Sequence, residues 1–310
     1  MTTTSTDAAR PANRNRNRII AASAVLFAVI VALAAGGSVG LLTAPKAILL
    51  GAVEGITEFL PISSTGHLLI TQRLLDLGSG AGKTAADTYA VAIQLGAILA
   101  VVALYWSRLL QMLRGLFGRD TEGLRLLLRL LTAFAPAAIV GFALDNTIKE
   151  HLFGPWPVIA AWAAGGVFLL VWKPTSGSTE VAGITTRHAL IIGSAQVLAL
   201  WPGVSRSLTT IVAALLVGLT MSAAVEFGFL LGLMTLSAAT VLDLSKDGKT
   251  LVDDYGVRMP LLGTIVAFVT AALAAKWLVA YLRRHPLTIF GWYRLGAAAV
   301  ALVLVVSNVI

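Results

Sequence analysis

The sequence predicts an all-α polytopic membrane protein, an inverted-repeat helical bundle carrying two re-entrant helix hairpins. Three observations point there. Hydrophobic residues make up 57% and charged residues 12% of the 310 positions, whereas a soluble domain carries about a quarter charged residues. The apolar runs are long and continuous, which suits helices and not the short alternating strands of an outer-membrane barrel. Two polar interruptions also recur in matching surroundings. Residues 47–54 (AILLGAVE) align with residues 189–196 (ALIIGSAQ), 142 positions on, and each copy then reaches an aromatic residue (Phe59 or Trp201), a proline and a hydroxyl cluster. Such internal repeats with interrupted helices mark a family of membrane bundles whose sites lie near the midplane.

Composition excludes several functions. With no cysteine, disulfides, thiolate metal sites and cysteine nucleophiles are ruled out. The net charge of +8 sits largely in short loops and the N-terminal tail, a pattern that suits anionic headgroups and topology setting and not nucleic acid. No polar segment is long enough to fold as a separate soluble domain.

Residues 1–18 are polar and basic, with Arg10, Arg14, Arg16 and Arg18, and read as a disordered cytoplasmic tail. Residues 19–42 form an extra N-terminal transmembrane helix. A secretory signal peptide is the rival, but no clear A-x-A site ends the run. The membrane domain is 43–310, with repeats over about 46–172 and 188–310. Ala47 to Leu60 is helical in pattern yet spans only about 21 Å, less than a hydrocarbon core of about 30 Å. Pro61 and the Ser-Ser-Thr-Gly run break it, and an apolar stretch resumes at His67. Two half-length segments around a polar break predict a hairpin lining a protein cavity.

Residues 76–85 read as an external loop, Thr88 to Trp106 as an inward span, and the basic stretch Ser107 to Arg129 as cytoplasmic. Leu130 to Leu144 returns outward, 145–150 is a short loop, and Trp156 to Trp172 spans inward to a loop over 173–187. Ala189 to Leu200 is a second short helix, broken by WPGVSRS at 201–207 and resumed at Leu208. Ala223 to Leu244 spans outward, 245–258 is a polar external loop, Met259 to Leu282 spans inward, and the chain crosses again from Ile289. The first hairpin thus enters from outside and the second from inside.

The chemistry concentrates at the breaks. Glu54 and Glu58 stand one helical turn apart on one face and repel each other unless a cation or basic partner lies between them. Intramembrane ionisable residues mark functional sites. Half-helix ends present free N–H groups and positive dipoles that suit phosphate. Ser63 or Ser64 would cap the first returning helix and Ser205 the second. Capping leaves Arg206 unaccounted for, and its planar fork suits phosphate oxygens or a buried pair with Glu54 or Glu58. These groups match phosphoryl hydrolysis. Glu54 and Glu58 would hold a divalent cation, Mg²⁺ or Ca²⁺. Ser64 would attack with His67 or Glu58 as base, and Arg206 would stabilise the developing charge. Gln94 and Gln196 are cavity-lining candidates, with helix–helix hydrogen bonding as the plainer role. His151, His188 and His285 lie at loops or helix ends and receive no role.

EGITEFLPISSTGH at 54–67 and PGVSRSLTT at 202–210, with IQLGAILAVV at 93–102 and AFAPAAIVGFAL at 133–144, resemble the bacterial undecaprenyl-diphosphate phosphatase family. The resemblance implies removal of the terminal phosphate of a C55 lipid diphosphate, returning the monophosphate carrier to cell-wall synthesis. It also implies an inner-membrane location and a site open to the outer face. It carries Glu54 and Glu58 as the acidic pair, Ser64 and His67 as nucleophile and base candidates, and Arg206 as phosphate ligand. Ser63, Thr65, Ser205, Ser207 and Thr210 fall on the remaining polar motif positions. Two departures stand out within the match: Leu208 replaces the usual glycine after SRS, and Gly228 removes a hydroxyl from the usual FSFLL. The partners expected are the polyprenyl diphosphate and membrane lipids, with a second copy of the chain as a candidate. The rival function is a polyprenyl-lipid transporter or flippase, which interrupted helices also serve.

Overall fold

The computed structural model describes residues 26, 28–35, 41–77, 82–173, 175 and 177–310. The basic tail, most of the extra N-terminal span and part of the 76–85 loop lie outside the described residues. Eleven α-helices between residues 44 and 306 account for most of the described chain. They are α1 (Ala44–Phe59), α2 (Ser64–Leu74), α3 (Lys83–Leu104), α4 (Trp106–Leu116), α5 (Thr121–Leu152) and α6 (Pro155–Val171), then α7 (Thr186–Gln196), α8 (Arg206–Leu216), α9 (Met221–Tyr255), α10 (Arg258–Leu282) and α11 (Thr288–Val306). Helices α3, α5, α9, α10 and α11 are long and apolar enough to cross a membrane, so the protein is a multi-pass membrane protein.

Two loop expectations are corrected. Residues 145–150 are not a loop but the end of the 32-residue α5, and most of 245–258 belongs to the 35-residue α9. Polar residues there fall at helical spacing, so leaving the hydrocarbon does not mean leaving the helix. Lys149 pairs with Asp145 one turn back at 3.1 Å and with Asp243 of α9 at 3.6 Å, and Lys246 reaches Asp145 at 3.8 Å. These pairs join the two helical extensions. The basic stretch from Ser107 likewise contains α4 and the start of α5, capped by the Asp120 side chain on the Gly123 N–H at 2.8 Å. Helix α7 stops at Gln196 and tightens into a 3₁₀ turn over Val197–Leu200, which ends before Trp201 because Pro202 disfavours helical geometry at the residue before it.

In lipid, helices associate through close packing and satisfied polar groups, not through water exclusion. Small residues bring α10 against α1: a Cβ added at Gly51 would stand 2.4 Å from the Gly263 carbonyl oxygen. Tyr89 of α3 seals this contact by donating to the Ala47 carbonyl at 2.9 Å. The same core takes in Ile30, Leu33 and Ala34 of the helical residues 28–35. The larger core joins the two interrupted helix pairs: Phe59, Ile62, Leu208 and Ile211 pack with Phe227 and Phe229 of α9. The Phe59 and Phe229 rings lie 4.8 Å apart. Both interruptions are therefore held in one packed centre.

Candidate active site

Each interruption follows from a proline. Leu60 and Trp201 are extended, with ψ of 146° and 117°, as residues before Pro61 and Pro202 must be. Each chain then turns through a serine with positive φ: Ser63 at φ 71° and Ser205 at φ 76°. Both serines cap the helix that follows. Ser63 Oγ accepts from the Gly66 N–H at 3.5 Å, and Ser205 Oγ accepts from the Leu208 N–H at 3.3 Å. Leu208 fits because its backbone serves this cap while its side chain is buried in the core.

The two breaks are tied directly to each other. The Gly203 N–H donates to Ser63 Oγ at 3.1 Å, and Ser207 Oγ donates to the Leu60 carbonyl at 2.8 Å. Ser205 and Ser207 hydroxyls share a hydrogen bond at 3.0 Å. Trp162 of α6 donates to the Ile62 carbonyl at 2.9 Å. Thr210 bonds back to the Arg206 carbonyl at 2.9 Å, a contact within its own helix.

Between the breaks sits a charged triad. The Ser64 hydroxyl donates to Glu58 Oε2. On the other side, Arg206 Nη2 donates to Glu58 Oε1 at 2.6 Å, from 148 positions along the chain. Arg206 Nη1 also donates to the Gly228 carbonyl at 3.3 Å. The guanidinium lies over Gly232, where an added Cβ would stand 1.7 Å from Nη1, so no larger residue fits there without moving Arg206. Gly228 is less constrained: a Cβ there would meet Thr210 Oγ1 at 3.0 Å.

Glu54 lies one turn before Glu58, fully buried, within electrostatic range of both Glu58 and Arg206. Its two carboxylate oxygens have no hydrogen-bond partner among the described residues. Buried acids are rarely left so. Among the described residues no three His, Cys, Asp or Glu side chains cluster. A cation here would therefore rest on Glu54 and Glu58 and take its other ligands from water and phosphate oxygens. That donor set fits Mg²⁺, which is commonly held by one or two carboxylates plus substrate.

The geometry separates the two base candidates. His67 Nδ1 is 2.7 Å from the Ser63 carbonyl and Nε2 is 2.8 Å from the Tyr293 hydroxyl. Its ring is flanked by Trp162 and Tyr293. Both nitrogens are thus engaged away from Ser64, whose partner is Glu58. Among the described residues, Thr65 is half-buried with no side-chain hydrogen bond, and Gln94 is half-buried on α3 and bonds to neither break.

Sequence reasoning passed over Trp162, Tyr293 and Arg294. Arg294 is wholly buried in α11. The signal for it was an ionisable residue inside an apolar span, the same signal that singled out Glu54.

The sequence model of the family described as "Bacitracin resistance protein BacA" matches residues 47–300. Among curated proteins, an undecaprenyl-diphosphatase of Sorangium cellulosum (strain So ce56) is 48% identical over 264 residues, covering 83% of this chain and 84% of the relative. One of Rhodopseudomonas palustris (strain BisA53) is 44% identical over 268 residues, covering 83% and 97%. One of Nitrosomonas eutropha (strain DSM 101675 / C91 / Nm57) is 45% identical over 261 residues, covering 83% and 93%. The matched segment contains both breaks and every residue of the Ser64–Glu58–Arg206 triad, and with that span and identity the chain belongs to the bacitracin resistance protein BacA family.

Proposed function

We propose that the protein hydrolyses undecaprenyl diphosphate to undecaprenyl phosphate and inorganic phosphate. The observation that carries this reading is the Ser64 hydroxyl donating to a carboxylate that a distant guanidinium holds in place. A nucleophile, its base and an orienting group in hydrogen-bond contact are the requirements of covalent hydrolysis. Relatives named undecaprenyl-diphosphatase supply the substrate.

Ser64 Oγ attacks the terminal phosphorus while Glu58 Oε2 takes its proton. The bond from that phosphorus to the bridging oxygen breaks, and undecaprenyl phosphate leaves. Water then cleaves the phosphoserine, with Glu58 guiding the proton and Ser64 restored. Arg206 can turn donors from Glu58 toward the phosphate oxygens, joined by those first-turn N–H groups of α2 and α8 that the capping serines leave without a partner among the described residues. A divalent cation held by Glu54 and Glu58 would neutralise phosphate charge. His67, fixed by Tyr293 and the Ser63 carbonyl, lies on the same helix and orients the turn that carries Ser64.

The finer architecture belongs to the same proposal: two re-entrant hairpins in an inverted repeat, in the bacterial cytoplasmic membrane, with the site facing the outer side. Ser63 and Ser205 occupy matching places in the repeat, share the same unusual backbone and cap returning helices of 11 residues each. The exchange of packing is reciprocal as well. Gly51 of α1 rests on α10 of the second half, while a Cβ at Gly193 of α7 would stand 2.1 Å from the Ala133 carbonyl of α5 in the first.

Purified protein in detergent should release phosphate from undecaprenyl diphosphate, and a chelator should stop it. No release from the intact protein with divalent ion supplied would sink the reading. Glu54→Gln should raise the divalent concentration needed for half-maximal rate by roughly tenfold or more. An unchanged requirement would remove Glu54 from the cation site.

A further inference from the structure

We propose that Arg294 is a positioning residue of this site: its guanidinium clamps the two breaks together and so aims Ser64 and Arg206 at one phosphorus. The proposal rests on the phosphatase reading. Arg294 is wholly buried in a helix of membrane-crossing length. A charge inside an apolar span is costly unless its donors are satisfied, so its surroundings must compensate for it.

They do so with carbonyls. Nη2 donates to Gly203 at 2.8 Å and to Ala161 at 2.7 Å, and Nη1 donates to Pro61 and Val204 at 3.3 Å each. One planar fork thus gathers the first break, the second break and α6. The Pro61, Gly203 and Val204 carbonyls exist as free acceptors because the chain leaves helical geometry there. Among the described residues no carboxylate pairs with Arg294. The neighbouring helix is shaped for it: a Cβ at Gly165 would stand 2.3 Å from Nη2 and 2.7 Å from Cζ.

The clamp reaches the reacting groups through the two capping serines. Gly203 accepts from Arg294 and donates its N–H to Ser63 Oγ, and Ser63 caps the helix whose first residue is Ser64. Val204 accepts from Arg294 one residue before Ser205, which caps the helix whose first residue is Arg206. Arg294 bonds to neither Ser64 nor Glu58, so it acts on geometry and not on the substrate. A lysine keeps the charge but lacks the fork that spans these carbonyls.

The test compares full-length Arg294→Lys and Gly165→Ala with wild type in detergent, reading kcat, KM for undecaprenyl diphosphate, and hydrogen exchange of peptides across the breaks (60–66 and 201–207). Both variants should lower kcat by about 10²-fold with little change in KM, as small misplacements of reacting groups do. The break peptides should exchange faster while α3 and α9 stay protected. An Arg294→Lys protein with wild-type kcat, or one whose helices lose protection together with the breaks, would overturn the clamp. If that variant cannot be purified, Gly165→Ala, which keeps every donor, decides by the same readouts. Loosened breaks in a protein whose wild type releases no phosphate would instead count against the phosphatase reading alone.

Discussion

Arg206→Ala should lower kcat/KM by about 10³-fold, the upper end of what one preorganised charge donor supplies. The loss has two sources. The guanidinium is the only side-chain cation bonded to Glu58 among the described residues, and in the proposed mechanism it is the group that meets the phosphate oxygens. Removing it also leaves Glu58 buried without its counter-charge, which costs about 3–5 kcal/mol in comparable pairs. Thermal midpoint and phosphate release should therefore fall together. Arg206→Lys should recover part of the stability and little of the rate, because a single ammonium cannot serve Glu58 and a phosphate with the same fork. Gly232→Ala offers an independent check, since it displaces the guanidinium without deleting it. Activity within tenfold of wild type after Arg206→Ala would place the phosphate elsewhere.

Ser64→Ala and Glu58→Gln should each reduce kcat by about 10⁴-fold, and the double variant should be scarcely worse, because members of one catalytic unit are not additive. Stability should tell them apart. Ser64→Ala removes one donor from a carboxylate that keeps Arg206, at a cost of about 1 kcal/mol. Glu58→Gln leaves a half-buried guanidinium unpaired and should lower the thermal midpoint clearly more. Fully additive losses in kcat would mean that Ser64 and Glu58 serve separate steps. Trapped phosphoserine at Ser64 is the direct measurement of its attack.

Local sequence marked the breaks well because prolines and turn serines act on their immediate neighbours. Pro61 and Pro202 end their helices where expected, and Ser63, Ser64, Ser205 and Arg206 fall where the helices restart. Glu54 and Glu58 were conspicuous as acids in an apolar run. Two kinds of information were not local. Polarity was read as loop at 145–150 and 245–258, yet the helices continue, because i,i+4 ion pairs and a partner helix stabilise them beyond the apolar part. The choice between His67 and Glu58 as the partner of Ser64 depended on Tyr293, 226 positions away, which occupies the imidazole. Arg294 was legible as a buried charge, but its partners are backbone carbonyls, which carry no signature in side-chain identity.

The paired serines with positive φ carry a consequence for anyone engineering this protein. Such backbone conformations cost about 1–3 kcal/mol each, and glycine would adopt them freely. Selection for heat tolerance alone would therefore drift toward glycine at 63 and 205, shedding two helix-capping hydroxyls, of which that of Ser63 also ties one half of the chain to the other. The survivors would be sturdier and idle, a trade-off between robustness and turnover written into two residues.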